Sequence, residues 1–355
     1  MNTGWNRTGH WLTTGHVRMV NVLVTGGAGF IGSNFVRHAI ATHPDWHVTT
    51  LDKLTYAGRL ENLEGILDHP RHAFVKGDIA DRDVAAPLVK ASEIVVHFAA
   101  ETHVDRSLMS AGEFITTDVF GTFVLLESAR TASGLQRFVQ ISTDEVYGSV
   151  AEGSSRETDE LRPRNPYSAS KAAADRLAYS YWATYGVPVV ITRASNNYGP
   201  YHFPEKMIPL FITNAIDDIP LPLYGDGLQE RDWLHVSDHC RAIDLLIAQG
   251  TAGEVYNVGG GNHVRNIDLT RQILALTGRT DSLIQPVTDR QGHDRRYSLD
   301  TSKLERLGWR PQVPFDGGLR ETVAWYRANE RWWRPIKEND PAFRAYYDAQ
   351  YGRRV

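Results

Sequence analysis

Tyr167 and Lys171 stand four positions apart, so on a helix their side chains share one face, one turn from each other. An ammonium that close to a phenol favours the phenolate and lowers the phenol's pKa, giving a proton acceptor usable near neutral pH. A free Tyr, with a pKa of about 10, is almost fully protonated there. Alone, Tyr-x-x-x-Lys is also an ordinary solvated helix face. Upstream, Ser142-Thr143-Asp144-Glu145 sets a hydroxyl beside two adjacent carboxylates. Like charges held close push one pKa upward, so such a pair can divide into an acid and a base. A solvated turn is the plainer reading of those residues.

The elements that must position these groups begin with a β-branched run at 21–25, the pattern of a strand buried on both faces. It feeds Gly26-Gly-Ala-Gly29-Phe30-Ile31-Gly32 and a helical stretch at 33–42. Strand, glycine turn and helix form the dinucleotide-binding context, here spaced G-x-x-G-x-x-G. The glycines allow a tight turn, close approach of a pyrophosphate and packing of helix on strand, and the helix N-terminus faces the phosphates. A second strand at 47–51 ends in Asp52, placed to accept hydrogen bonds from both adenosine ribose hydroxyls and to select NAD over NADP. Lys53 beside it is a counter-signal. Strands at 73–76, 94–98 and 137–142 follow, the first reaching Asp78 and Ile79 near an adenine, the second running into Ala99 and Ala100. A long helix is expected over 114–131 and a sixth strand at 189–193. The alternation predicts an α/β fold, a doubly wound parallel sheet with ligands beyond the carboxyl ends of its strands. The Thr143-Asp144-Glu145 triplet lies at one of those ends.

The 355 residues suggest about two domains. A net charge of −4 with both signs interspersed argues against a nucleic-acid partner. Cys240 is the only cysteine, so an intrachain disulfide is excluded, and its neighbours suggest packing on a helix. No window has the apolar length of a membrane span, and residues 1–18 lack the apolar stretch of a signal peptide. The expectation is a cytoplasmic protein with a disordered extension at 1–18, where Asn6-Arg-Thr8 matches a glycosylation acceptor by chance. The Rossmann domain is expected over 19–198 with a returning segment at 232–262. A smaller, discontinuous α/β substrate lobe occupies 199–231 and 263–355. A strand and capped helix are expected from Asp232, and His235 and His239 read as packing residues, with no metal. Arg331-Trp-Trp-Arg334 and Tyr346-Tyr347 form an aromatic tail that wraps the lobe or meets a partner.

Thr25-Gly-Gly-Ala-Gly-Phe-Ile-Gly32, Asp52, Ala99-Ala100-Glu101 and Tyr167-x-x-x-Lys171 together resemble the extended short-chain dehydrogenase/reductases. Within them the likeness is to the branch that dehydrates nucleotide-activated glucose. Segments beginning at Asp52, Ala99, Ser142, Ser195 and Gly292 carry it over about 19–326; Thr102 and His202 depart slightly from the usual residues. The resemblance implies conversion of dTDP-glucose to dTDP-4-keto-6-deoxy-glucose with NAD, by C4 oxidation, C5/C6 elimination and hydride return to C6. A related epimerase or decarboxylase, or a non-catalytic NAD-sensing regulator, is the alternative. It implies Tyr167 as base at C4, Lys171 as its partner, Thr143 on the 4-keto oxygen, Glu145 as base at C5 and Asp144 as acid at C6. A general acid must be protonated, so a raised Asp144 pKa is expected.

The same resemblance implies cofactor contacts from Gly26, Gly29, Phe30, Ile31 and Gly32, and from Asp52, Lys53, Leu54 and Thr55. Asp78, Ile79, Phe98, Ala99, Ala100, Thr117, Tyr167, Lys171 and Asn197 complete that set. For substrate it implies Thr102, Thr143, Asn196, Glu205, Lys206, Met207, Pro222 and Tyr224, with Arg231, Asn266, Arg290 and His293 toward the diphosphate and nucleoside. Arg, with its fork of donors, is the physically sensible diphosphate clamp. A homodimer is implied through helices at 114–131 and 168–185.

Overall fold

A computed structural model describes residues 18–352; the expected extension, apart from Arg18, and its acceptor pattern lie outside them. Six of the expected runs become strands of one parallel sheet: β1 (Val20–Thr25), β2 (Trp46–Asp52), β3 (His72–Lys76), β4 (Ile94–His97), β5 (Arg137–Thr143) and β6 (Val189–Ala194). A seventh strand, Val255–Val258, joins the outer edge of β6, and the order runs from it through β6, β5, β4, β1 and β2 to β3. The order reverses between β1 and β4, which opens the crevice where ligands of such sheets sit. The β-branched cores of these strands are buried from both sides. Val22, Val24 and Val96 meet Phe35, Val36 and Ile243 on one face. Leu23, Val95 and Ile191 meet Val124, Leu125 and Ala178 on the other.

After β6 the chain leaves the sheet. Asn196–Tyr198, Glu230–His235 and His263–Arg265 form a three-stranded sheet, and Leu221–Tyr224 pairs with Ile284–Val287. Helices Met207–Ile216, Asn266–Thr277, Phe315–Ala328, Glu330–Asn339 and Pro341–Tyr351 pack around them. Their separate core contains Phe211, Leu269, Tyr326, Trp333 and Phe343. Between these elements the Val236–Gln249 helix returns to the face of the large sheet. The His235 ring caps that helix by accepting the Ser237 amide. His239 and Cys240 are buried in it.

The helix expected over 114–131 is interrupted. Gly112–Phe114 and Thr122–Ala129 are α-helical, and Ile115–Gly121 between them is π-helical, a form found mostly at functional positions. The wider turn accommodates a buried carboxylate, Asp118, whose oxygens accept the Glu101 amide at 2.8 Å and the Ser170 hydroxyl at 2.6 Å. At its end, a Cβ on Gly121 would stand 2.5 Å from Ile79.

Candidate active site

The carboxyl ends of β1, β2, β4, β5 and β6 open into one cavity of about 400 Å³ that continues between the large sheet and the second core. At its floor, β1 turns at Gly26, whose φ of 70° and contact with β4 leave no room for a side chain. A Cβ there would lie 2.6 Å from the Ala99 nitrogen, and one on Gly32 would collide with the Gly26 carbonyl. The Phe30–Thr42 helix starts immediately after, and its N-terminus has no side-chain cap. Its first amides therefore face the cavity without intrahelical partners.

Asp52 ends β2 with its carboxylate fixed by the Ala28 amide at 2.9 Å and the Leu54 amide at 2.8 Å. Burial pushes that carboxyl above its ordinary value while the two amides oppose the shift. Lys53 is neutralised by Asp78 at 2.7 Å, which removes the counter-signal it carried in the sequence. Glycine cradle, uncapped helix start and oriented acid fit the adenosine diphosphate half of a dinucleotide. Leu54 is a correction: alone among the expected cofactor and substrate residues it does not line the cavity. With φ 57° it turns its amide onto Asp52 and packs its side chain in the core, so it orients the acid instead.

Beyond β5 a short 3-10 turn, Asp144–Tyr147, begins. Thr143 starts it by accepting the Glu145 amide at 3.3 Å, and its hydroxyl donates to Asp144 Oδ1 at 3.1 Å. Asp144 is buried and Glu145 half-buried. Burial first, then the charges of Glu145 and Asp232, hold the Asp144 carboxyl well above its usual range, as expected of a general acid. Glu145 is also raised by burial, but Arg290, Arg231 and Lys206 pull it back. Burial alone would have raised both alike; the surrounding cations divide the pair.

Asn165 caps the Pro166–Tyr185 helix through a reciprocal pair with Ser168, which presents Tyr167 and Lys171 to the same cavity. Their expected relation needs correction: burial first, then Glu145, Asp118 and Asp144, hold Tyr167 well above its ordinary pKa against the Thr143 hydroxyl, so the phenol's net shift is upward and not downward. Lys171 Nζ donates to the Ile141 carbonyl at 2.7 Å.

The cavity's far end holds most of the remaining expected residues. Lys206 Nζ donates to the Thr102 carbonyl at 2.6 Å. Arg231 lies over the Tyr297 ring at 4.4 Å and donates to the Asp294 carbonyl at 2.9 Å. The side-chain oxygens of Asn196 and Asn266 are buried without partners, aimed where a ligand can supply donors. His293 is lowered to about 4, by burial first and by Arg290, and is neutral at physiological pH. Glu205 is held by Arg106 at 2.8 Å, so its charge is largely used within the protein. The Asn197 Oδ1 accepts from His239 Nδ1 at 3.0 Å. Phe30, Ile31, Thr55, Ile79, Phe98, Ala100, Thr117, Met207, Pro222 and Tyr224 line the same space. Among the described residues no cluster of His, Cys, Asp or Glu is arranged to hold a metal ion. Sequence reasoning missed Tyr56, His103, Asp105, Phe203 and Tyr351, which also line it. Tyr56, His103, Asp105 and Phe203 fall in the runs that begin at Asp52, Ala99 and Ser195 and carry the resemblance; Tyr351 had no sequence signal.

The fold and this cavity define an extended short-chain dehydrogenase/reductase with an acid pair added beside its Tyr and Lys. The chain belongs to the family described as GDP-mannose 4,6 dehydratase, whose sequence profile matches residues 23–322. It is 53% identical over 328 residues to a dTDP-glucose 4,6-dehydratase of Streptomyces niveus, covering 91% of this chain and 97% of that one. The crystal structure of DesIV, a dTDP-glucose 4,6-dehydratase from Streptomyces venezuelae with NAD and TYD bound, superposes with a TM-score of 0.88 at 52% identity, covering 90% of this chain and all (100%) of that one. A dTDP-glucose 4,6-dehydratase from Bacillus anthracis str. Ames in complex with NAD gives a TM-score of 0.84 at 48% identity, covering 90% of this chain and 100% of that one.

Proposed function

We propose that the protein dehydrates dTDP-glucose to dTDP-4-keto-6-deoxy-glucose, with NAD regenerated in each turnover, for deoxysugar biosynthesis. The observation that carries this reading is that Thr143, Asp144, Glu145, Tyr167 and Lys171 all line one cavity. When bound, NAD supplies the hydride acceptor for C4 and the hydride donor for C6. Tyr167 takes the C4 hydroxyl proton, and the Thr143 hydroxyl holds the developing 4-keto oxygen. That ketone acidifies the neighbouring C5–H. Glu145 takes the C5 proton, Asp144 gives its own to the C6 hydroxyl, and the hydroxyl leaves as water. Glu145 then returns the proton to C5. Cations beside Glu145 and anions beside Asp144 support this division, because they favour the proton on Asp144. A protonated Asp144 also removes one of the charges that hold the Tyr167 phenol up. Lys171, which donates to the Ile141 carbonyl, would also hold the nicotinamide ribose.

Asn196, Lys206, Pro222 and Tyr224 hold the sugar end, and Arg231, Asn266, Arg290 and His293 the diphosphate and nucleoside. The protein works as a cytoplasmic homodimer. Support for the dimer is the apolar surface of Leu108, Met109, Ile115, Phe120, Tyr179 and Tyr185, all exposed on helices next to the site. No helix among the described residues is long and apolar enough to cross a membrane. Incubation with dTDP-glucose, followed by NMR and mass spectrometry, should give a product lighter by one water and carrying a 4-keto-6-deoxy sugar. Formation of dTDP-galactose would make it an epimerase, and no turnover would end the reading. Faster turnover of UDP-glucose would overturn the thymidine assignment.

A further inference from the structure

The C-terminal helix, Pro341–Tyr351, lies in the second core, but its inner face reaches the nucleotide end of the cavity. Asp340 caps it by accepting the Ala342 amide at 2.9 Å and the Phe343 amide at 3.1 Å. One turn further on, the buried Tyr346 donates its hydroxyl to Asp105 Oδ2 at 3.2 Å. The same carboxylate accepts the Tyr224 hydroxyl at 3.1 Å, and its other oxygen faces Arg290 Nη1 at 3.5 Å. Gln350 closes the group by donating its amide to the Tyr224 hydroxyl.

Asp105 is a carboxylate only 5% exposed on the wall of a cavity whose expected ligand is a diphosphate. An unpaired anion there would repel that ligand and carry a large desolvation cost. Three donors from three separate parts of the chain meet it: a strand end, a loop and the C-terminal helix. Arg290 and Tyr224 are the groups read above as substrate contacts, so their placement depends on this one acid. Arg290 would otherwise be free to turn toward Glu145, whose carboxyl it already influences.

We propose that Asp105 and Tyr346 are positioning residues for nucleotide recognition: the C-terminal helix, through Tyr346, fixes the Asp105 carboxylate that holds Arg290 and Tyr224 toward the nucleoside diphosphate. This rests on the reading of that cavity end as the nucleotide site. It assigns the Tyr346-Tyr347 tail a part in substrate affinity and divides its two tyrosines. The Tyr347 hydroxyl instead meets Asn214 at 3.3 Å, away from the cavity.

The test is calorimetric titration of TDP, UDP and GDP into full-length wild type and the variants Asp105→Asn, Tyr346→Phe and Tyr347→Phe, with steady-state kinetics on dTDP-glucose in parallel. Loss of one hydrogen bond to a charged group corresponds to roughly a tenfold change in affinity. Asp105→Asn and Tyr346→Phe should therefore weaken the best-binding diphosphate, and raise KM, by roughly tenfold, with kcat held within about twofold and bound NAD unchanged. Tyr347→Phe should match wild type. The double variant should lose less than the sum of the two single losses, because both act through one carboxylate. Folded Asp105→Asn and Tyr346→Phe proteins with wild-type affinity would overturn the proposal. So would a fall in kcat with affinity kept. If Asp105→Asn does not fold, Tyr346→Phe decides alone. A wild type that prefers UDP or GDP would refute the thymidine reading and leave this comparison intact, since it is made on whichever diphosphate binds best.

Discussion

Asp144 and Glu145 are adjacent in sequence, the first buried and the second half-buried, and they face different charges. Arg290, Arg231 and Lys206 act on Glu145, whereas Asp144 sees Glu145 and Asp232, opposed by the Thr143 hydroxyl and Arg231. Asp144→Asn and Glu145→Gln should each lower overall dehydration by roughly 10²–10⁴-fold, the usual worth of a general acid or base, while sparing C4 oxidation in a single turnover. Steady-state dehydration unaffected by either change would remove that residue from its role. The Tyr167 phenol makes a second prediction. Asp118, on the π-helical turn, is raised to about 7, by burial first, with Lys171 and Ser170 lowering it and Glu101 raising it. Above that pH its charge is present and holds the Tyr167 phenol up. Asp118→Asn removes the charge at every pH, so the phenol's pKa falls and the acid limb of the kcat profile should move to lower pH. An unmoved limb would show that Asp118 does not govern Tyr167. The sequence made Tyr167, Lys171 and the acid pair visible as residue types at fixed spacing. It hid the direction of the phenol's shift, because Asp118 and the Ile141 carbonyl that holds Lys171 come from elsewhere in the chain.

The strand-turn-helix unit at 20–42 was legible because its glycines have a steric reason that local spacing reveals. Gly32→Ala would drive a methyl group into the Gly26 carbonyl and widen the cradle. The purified variant should lose bound NAD and melt several degrees lower, read by nucleotide content and by Tm; full occupancy would disprove the cradle. The helix at 114–131 was legible as apolar and helical but not as a π-helical turn. That feature arises from satisfying one buried carboxylate with partners from two other segments. Leu54 shows the same limit at one position. Next to Asp52 in sequence, it was grouped with the cofactor contacts, but its backbone turns to serve the acid and its side chain leaves the cavity.

Across the whole molecule, the sheet and the Pro166–Tyr185 helix are pinned by a buried ion pair. Arg193 on β6 donates to both oxygens of Asp175 on the Pro166–Tyr185 helix, at 2.9 and 3.1 Å. Burial pushes Asp175 up, but Arg193 first and Arg176 second outweigh it, and the net shift is downward from 3.8. A depressed carboxylate stabilises the fold above its unfolded pKa, and that stability is lost as pH falls below about 4. Arg193→Met should leave the buried Asp175 with Arg176 as its remaining cationic partner, costing up to about 3 kcal/mol in denaturant unfolding at pH 7, with a smaller deficit below pH 4. An equal deficit at both pH values would refute the pairing. The doubly wound sheet was readable from its apolar runs, whereas the reach of the C-terminal helix into the cavity was not, since no local pattern records a contact between Tyr346 and Asp105, which are 241 residues apart. The central claim is that the hydrogen removed from C4 is the one delivered to C6. With dTDP-glucose deuterated at C4, NMR of the product should show the deuterium in the C6 methyl group. Deuterium retained at C4, or a product without the 6-deoxy group, would contradict it.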